Sequence, residues 1–518
     1  MPREEELAEL ARRRDLALQM GGAEQVARQH EHGKLTARER ISLLADEGSF
    51  REFGGLAGSA TYADGQLAAF TPKGEVTGFV SVDGRKAVVA AGDFTVRGGA
   101  ATRGSGGGLG QELSASRRAL EWQVPYVRLL DASGGSVASF ADIGRTYLPD
   151  GNSWTMIDVQ LLQAVPVVSA VLGSVAGLPA VNACLSHFNV MVRGTSQLFP
   201  GGPPVVKAAL GLDITKEELG GAALHTQRSG VADNLAETED DALRQVRAFL
   251  SYLPSSVAEV PPRAAPAAPS VAAEKLRTVI PESRRQPFDV RQILGGALDA
   301  GSFFEIAPRY GPSRVTGLGR VDGFPVGVMA NNPRRSGGAT DVAAGEKVMR
   351  LIQLCDQFHL PLVTFADEPG FLVGPESERQ GIERAGARLV WTTCQSRMPW
   401  LTFVVSRLFG VAGQCQHRPT GMFRRYAWPS ARWGSMHIEG GVSAAYRRVI
   451  EAAPDPAAKR KEIEAELDAL ASPFRTAEAT AQDIVDPAQT RELLVDFVHD
   501  AQRVLATQAG VPGMPYRP

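Results

Sequence analysis

Short apolar runs rich in β-branched residues recur along the chain: VTGFVSV, KAVVAAGD, YVRLLD and VVSAVLG in its first half. Between such runs lie stretches such as QELSASRRALEWQ and AGEKVMRLIQLCDQF, where apolar residues return every three to four positions. The first pattern predicts buried strands and the second amphipathic helices. Buried strands separated by helices predict an α/β fold with parallel pairing. Residues 1–45, rich in Ala, Leu, Glu and Arg, read as a helical segment. The stretch from Pro254 to Pro287 is crowded with Pro, Ala and Ser, a composition suited to a linker rather than a core. The expected division is a helical segment at 1–45, a domain at 46–255, a linker at 256–287 and a second domain at 288–518.

The text on either side of that linker repeats. SFREFGG from Ser49 returns as SFFEIAP from Ser302, and GEVTGFVSVDGRKAVVAAGD returns as SRVTGLGRVDGFPVGVMANN. Asp83-Gly84 and Asp322-Gly323 lie 239 positions apart (322 − 83), as do Gly98-Gly99 and Gly337-Gly338. PYVRLLDASGG matches PLVTFADEPGF at an offset of 236 (361 − 125), and Gly177 and Gly413, each closing a V-A-G triplet, also differ by 236. So steady an offset implies a duplicated domain. A Rossmann arrangement is the usual outcome of such alternation, but no GxGxxG closes a first strand and opens a helix. The Gly-rich run Gly104–Gly110 lacks the Lys-Ser/Thr of a P-loop and reads as a tight or mobile turn.

Composition narrows the class. At 518 residues, two cores are the natural expectation. The hydrophobic share of 44%, charged share of 22% and net charge of −2 are those of a globular protein without the basic stripe of a nucleic-acid or membrane-surface binder. Cys184, Cys355, Cys394 and Cys415 are widely spaced, which argues against a zinc site or a disulfide framework and fits a reducing compartment. The charged N-terminus has no signal-peptide core, and no apolar run approaches about 18 residues. A cytoplasmic protein is expected.

Side-chain chemistry is scarce. There is no GxSxG elbow, no HExxH and no Cys/His cluster, and lone histidines such as His225 and His437 read as structural. Glycine is the abundant resource, with 55 residues, several placed directly after apolar strands. They include Ser133-Gly134-Gly135, Gly173–Gly177, Glu368-Pro369-Gly370 and Gly410–Gly413. Glycine at a strand-to-helix turn frees backbone N–H groups to face a cleft. Paired amides of that kind can hold a developing oxyanion. Their recurrence in both copies suggests a reaction that passes through two enolate-like species.

Further landmarks carry a resemblance: HGKLTARERI (His32–Ile41), GDFTVRGGA (Gly92–Ala100), DASGG (Asp131–Gly135), GGPPVVKAALG (Gly201–Gly211), ELGGAALHTQRSGVAD (Glu218–Asp233), PLVTFADEPGFLVGPESERQGIERAGARLV (Pro361–Val390) and YAWPSARWGSM (Tyr426–Met436). In this order they resemble the carboxyltransferase (beta) subunits of biotin-dependent acyl-CoA carboxylases, the propionyl-CoA and methylcrotonyl-CoA types. The resemblance implies two crotonase-like (ββα superhelix) domains and transfer of CO2 from carboxybiotin to the enolate of an acyl-CoA thioester. It implies that biotin supplies the base, which accounts for the missing acid/base cluster.

Carried over position by position, the resemblance puts the acyl-CoA oxyanion hole on the amides of Gly177 and Leu178. The hole for the biotin ureido oxygen falls on Val411 and Ala412. Gly134 and Gly135 would line the acyl-CoA side, and Gln414 stands where propionyl-type members carry an Asp tied to acyl-chain choice. Leu178 and Val411 replace family glycines, and the usual SGGAR continues here as Ser136-Val137. No Met-Lys-Met biotinylation site and no ATP-binding module is present, so the resemblance assigns biotin to a carrier subunit and ATP chemistry to a biotin carboxylase subunit. It further implies a homo-hexamer and no metal in this chain. The competing readings are a biotin-dependent decarboxylase, a degenerate member acting in assembly, and a biotin-free hydratase or hydrolase using a carboxylate pair. Glu368 and Glu376 are the candidates for that pair, with surface glutamates the ordinary explanation.

Overall fold

The computed structural model describes residues 3–99, 114–135, 144–146, 152–283, 286–418 and 420–518. They form two compact units, one reaching Glu259 and one running from Val260 to Arg517. Gly104–Gly110 and Ser136-Val137 lie outside the described residues.

Among the described residues, each unit is built on one eight-stranded sheet. In the first unit the order is β1 (Arg51–Glu52), β4 (Glu75–Val82), β5 (Arg85–Gly92), β6 (Tyr126–Ala132), β7 (Val167–Ala176), β8 (Phe188–Val192) and β10 (Asn234–Ala236). A short β9 (Gln197–Phe199) pairs with the end of β7, and β2 (Gly58–Ala63) and β3 (Gln66–Pro72) form a separate ribbon. The second unit repeats the order with β11 (Phe304–Ile306), β12 (Arg314–Val321), β13 (Phe324–Asn331), β14 (Leu362–Glu368), β15 (Trp400–Phe409), β16 (Phe423–Ala427) and β18 (Asp483–Ile484). There β17 (Arg432–Gly434) takes the place of β9. The first three strands of each sheet pair antiparallel and the strands that follow are added in parallel. The parallel strands are buried, as their apolar runs predict: all seven residues of β14 and the first seven of β7 are out of water.

The hairpins show how local sequence sets the register. Asp83-Gly84 turns β4 into β5 at φ 50° and 77°, and Asp322-Gly323 turns β12 into β13 at φ 51° and 77°. Two consecutive left-handed residues make the two-residue turn that matches strand twist. Asp46 accepts both turn amides in the first unit, at 3.0 and 2.8 Å, and Asp299 does so in the second, at the same distances. A Cβ on Gly323 would fall 2.0 Å from the Ala264 carbonyl oxygen, whereas one on Gly84 meets open space. Gly84→Ala is therefore expected to cost about 1–2 kcal/mol of left-handed strain, and Gly323→Ala more, as read from denaturant unfolding of the two variants.

Residues 260–283 lie along the second unit. Val271 N–H donates to the Gly295 carbonyl, and Leu276 and Val279 join the core formed by Val315, Val328, Phe365, Phe403, Trp428 and Phe497. In the first unit α1 (Glu4–Leu18), α2 (Ala23–Glu31) and α3 (Ala37–Leu44) make up the helical segment, and α3 starts with a Thr36/Glu39 capping box.

Strand pairing measures the duplication directly. Val88 pairs with Tyr126 and Gly327 with Leu362; Tyr126 pairs with Val167 and Leu362 with Trp400. The offset is thus 239 at β5/β13 (327 − 88), 236 at β6/β14 (362 − 126) and 233 at β7/β15 (400 − 167). The register shifts between Leu130 and Ala132 in one sheet and between Ala366 and Glu368 in the other, which are equivalent positions. The partner of Gly177 is therefore Gly410, not Gly413. The two V-A-G triplets differ in structure: Val175-Ala176 ends a strand, while Val411-Ala412-Gly413 lies in a helix. Both Gly177 (φ 68°) and Gly410 (φ 62°) are left-handed, as the turn requires.

Candidate active site

The conserved geometry of the two units lies where β6/β7 and β14/β15 end. In the first unit β6 runs into Ser133-Gly134-Gly135. Gly134 sits at φ 83°, and a Cβ there would come within 2.6 Å of the Ala176 carbonyl oxygen. Only glycine lets this turn close onto the end of β7. Gly135 faces open space. Gly177 then caps α4 (Leu178–Cys184).

The amides at this turn are not alike. Gly177 N–H donates to the Phe199 carbonyl at 3.2 Å, because β9 pairs alongside. Pro179 has no N–H, and Ala180 N–H returns to the Gly177 carbonyl at 3.0 Å. Leu178 occupies the first helical position, where no intrahelical acceptor exists, and its N–H has no partner among the described residues. Its side chain is exposed. The structure thus sets Gly134, Gly135, Gly177 and Leu178 around one turn, and at residues 177–180 Leu178 carries the one N–H without an acceptor among the described residues.

In the second unit, Gly410 opens α5 (Gly410–Gln414), with Val411 and Ala412 in the first turn, where amides again lack intrahelical acceptors. Val411 is half exposed, Ala412 is buried, and Gln414 is exposed three residues on from Val411, on the same helix face. The facing wall is Pro369-Gly370. His437 Nε2 donates to the Pro369 carbonyl at 2.6 Å while its ring packs on Phe409 at 4.3 Å, which gives this histidine a structural role.

Glu368 and Glu376 do not form a pair. Glu376 is exposed beside Arg379. Glu368 is fully buried, against the surface placement expected for it. Its Oε2 accepts from Arg314 (2.8 Å), Asn331 (2.9 Å), Thr340 (2.7 Å) and Gln416 (2.8 Å), and its Oε1 from Gly370 N–H (3.0 Å). Burial pushes its carboxyl above the usual range, against Arg314 and the donors around it.

One position earlier, the aspartates common to both units anchor the strand ends. Asp131 is completely buried and accepts from Gln29 (3.0 Å), Lys34 (2.9 Å) and Arg40 (3.1 Å), while Arg40 also grips Glu239 at 2.8 and 2.7 Å. Asp367 instead holds Arg407, at 2.7 and 2.8 Å. Sequence reasoning singled out neither cluster; the available signal was an acid closing each apolar run, YVRLLDA and LVTFADE.

His417, just past α5, accepts a hydrogen bond from Arg425 at 3.2 Å, and burial pushes its pKa down to about 4. The unfolded chain therefore takes up this proton first as pH falls. Stability contributed by the neutral ring is intact above about pH 6.5 and declines through pH 4, by at most about 3 kcal/mol. His417→Gln is expected to flatten that part of the stability–pH curve, measured by urea unfolding at stepped pH.

Among the described residues no group of three metal-ligating side chains occurs and no helix is long and apolar enough to cross a membrane. The model of the carboxyl transferase domain matches residues 28–504. The chain belongs to the carboxyl transferase family. This carboxyltransferase is 37% identical over 512 residues to the carboxyltransferase subunit of propionyl-CoA carboxylase from Haloferax mediterranei, with 96% of each chain covered. It is 33% identical over 488 residues to the methylmalonyl-CoA carboxyltransferase 12S subunit of Propionibacterium freudenreichii, covering 93% of this chain and 91% of that one. The solved transcarboxylase 12S, a hexamer with methylmalonyl-CoA bound, superposes at a TM-score of 0.85 and 31% identity, covering 99% of this chain and 96% of the other. The two duplicated units are thus the crotonase-like carboxyltransferase fold.

Proposed function

We propose that this chain transfers a carboxyl group from biotin, carried on a separate protein, to the enolate of an acyl-CoA thioester. The observation that carries the reading is the pair of equivalent turns in a carboxyl transferase chain. Each follows a bulged strand, each passes through a left-handed glycine, and each opens a helix with at least one first-turn amide that lacks an intrahelical acceptor. A reaction with two oxygen anions needs two such places.

Carboxybiotin supplies the carboxyl group and, once free of it, the ureido nitrogen that takes the substrate proton. The chain's own part is to hold oxygen. Leu178 N–H, beside Gly177, meets the thioester oxygen as charge gathers there. Val411 and Ala412 N–H meet the ureido oxygen. Gly134 and Gly135 leave room for the acyl-CoA next to the first turn, and Gln414, one turn along from Val411, faces the acyl chain and bears on its choice. On this reading the domain at 46–255 serves acyl-CoA and that at 288–518 serves biotin, joined through 256–287.

A biotin carboxylase and a biotin carrier subunit complete the enzyme, and the chain assembles as a homo-hexamer in the cytoplasm, where its four free thiols fit a reducing environment. The test is purification of the tagged protein from its host under gentle conditions, probed with streptavidin. A stoichiometric biotinylated chain that supports ATP- and bicarbonate-dependent carboxylation within an acyl-CoA panel is the expected result. A clean oligomer with no biotinylated companion, inactive on the whole panel, would overturn the proposal.

A further inference from the structure

The duplication supplies an internal comparison of which buried groups the fold itself requires. In the second unit Arg314, Asn331, Glu368 and Gln416 lie at most 1% exposed and bond to one another. The strand register places Glu75, Gly92 and Ala132 at the first three positions of the first unit. Counting six residues on from Gly177 and from Gly410 sets Ala183 opposite Gln416. Glu75 is partly exposed and pairs with Lys73. The first unit therefore builds the same sheet, with the same bulge, without any of this network.

Stability is a poor reason for its presence. Taking a carboxylate and a guanidinium out of water costs about what their attraction returns, and apolar replacements of similar volume often do as well. Arg314 Nε, moreover, is buried without a partner. What the network does have is a particular address. Glu368 receives the Gly370 amide at 3.0 Å, fixing one wall of the second turn. Gln416 ties to the other: its side chain donates to the Ala412 carbonyl at 3.4 Å, its N–H to the Gly413 carbonyl at 3.2 Å, and its own carbonyl accepts from Thr402 at 2.7 Å. Arg314 joins the two by bonding Glu368 at 2.8 Å and Gln416 Oε1 at 2.9 Å.

The geometry points to Arg314, Glu368 and Gln416 as positioning residues for carboxyl transfer, which lock the Pro369-Gly370 wall and the Gly410–Gln414 turn into the spacing that the oxygen on the biotin side requires. This rests on the reading that the Val411 and Ala412 amides meet that oxygen. The three side chains touch no reactant; they act through the backbone. A buried network whose carboxylate is bonded on both oxygens suits this task, because alternative arrangements would strand a charge. Why only one unit carries it also follows. β17 lies beside the second turn as β9 lies beside the first, but at residues 177–180 only the Leu178 amide lacks an acceptor among the described residues, whereas the second turn presents two consecutive amides whose relative direction must be set.

The test replaces the network with apolar residues, Arg314→Met, Glu368→Leu and Gln416→Met together, in the full-length chain. Carboxyl transfer from methylmalonyl-CoA to biocytin gives kcat and KM, and hydrogen exchange by mass spectrometry reports on the segment 408–416. The expected result is a folded protein whose kcat falls at least 30-fold with KM for methylmalonyl-CoA within twofold. Exchange in 408–416 should rise at least tenfold while segments of the first unit stay unchanged. A folded triple variant with kcat within threefold of the parent, or with unaltered exchange in 408–416, overturns the inference. Should the triple variant not fold, Gln416→Met alone decides, since it leaves the Arg314–Glu368 pair intact: a three- to tenfold loss of kcat at unchanged KM supports the role, and parental kinetics refute it. A parent chain that carboxylates no biocytin counts against the broader reading, and the exchange measurement then judges the positioning role by itself.

Discussion

Leu178→Pro is expected to lower kcat by about 10²–10³-fold and to leave the protein folded. Removing one oxyanion donor costs that much in enzymes that depend on such a donor. Proline deletes the N–H and little else here. It is the favoured residue at the first helical position, since the amide it lacks has no intrahelical acceptor there. The preceding Gly177, at φ 68° and ψ −136°, is outside the right-handed helical region that a following proline disfavours. Within residues 177–180 no other amide can take over: Gly177 N–H is held by Phe199, Pro179 has none, and Ala180 N–H returns to the Gly177 carbonyl. The checks are steady-state kinetics with acyl-CoA varied, alongside thermal unfolding. A thermally normal variant whose kcat stays within a few-fold of the parent would show that the Leu178 amide does not hold the thioester oxygen. Leu178→Ala keeps the N–H and is expected to retain kcat within a few-fold.

The largest stability effect is expected at Asp131. Alanine there strips the shared acceptor from Gln29, Lys34 and Arg40 and leaves a wholly buried guanidinium with only Glu239 and the Leu172 carbonyl. Breaking a buried ionic cluster from one side costs about 3–5 kcal/mol, roughly 10 °C in Tm for a unit of this size. The same change at Asp367 should cost much less, because its partner Arg407 is 22% exposed and can regain water. Thermal unfolding of the two variants side by side tests the contrast; equal shifts would mean that the burial of Arg40 carries no special penalty. Arg40 and Lys34 come from the N-terminal helical segment, so this cluster is also what fastens α3 to the sheet.

Much of the architecture was legible because it rests on local chemistry. Asp83-Gly84 and Asp322-Gly323 announce hairpins wherever they occur between apolar runs, and their constant separation exposed the duplication. What was not legible depends on groups distant in sequence. The text match of two V-A-G triplets pairs Gly177 with Gly413, and only the hydrogen-bond register of β15 moves the partner to Gly410. Nothing near Gly177 reveals that its amide is claimed by Phe199, a residue brought alongside by β9. Glu368 followed by Pro-Gly reads as a surface turn; its burial depends on Arg314 and Gln416, 54 and 48 residues away. The seven predicted site residues came from the resemblance, and the glycines among them also stand where apolar runs end, which sequence shows well. Which amides are free there is a matter of tertiary contact, which it shows poorly.

The matched bulges between Leu130 and Ala132 and between Ala366 and Glu368 bear on ancestry. A register shift is hard to acquire twice at the same point, so it was already present in the single unit that was later copied. That ancestor would have carried one turn of this kind per chain, and two copies of the chain would have been needed to offer two. Since then the halves have diverged around an inherited scaffold: one keeps Ala132 after the bulge, the other Glu368. On the proposed function, a chimera built from two first units would keep the sheet and lose the turn that serves biotin.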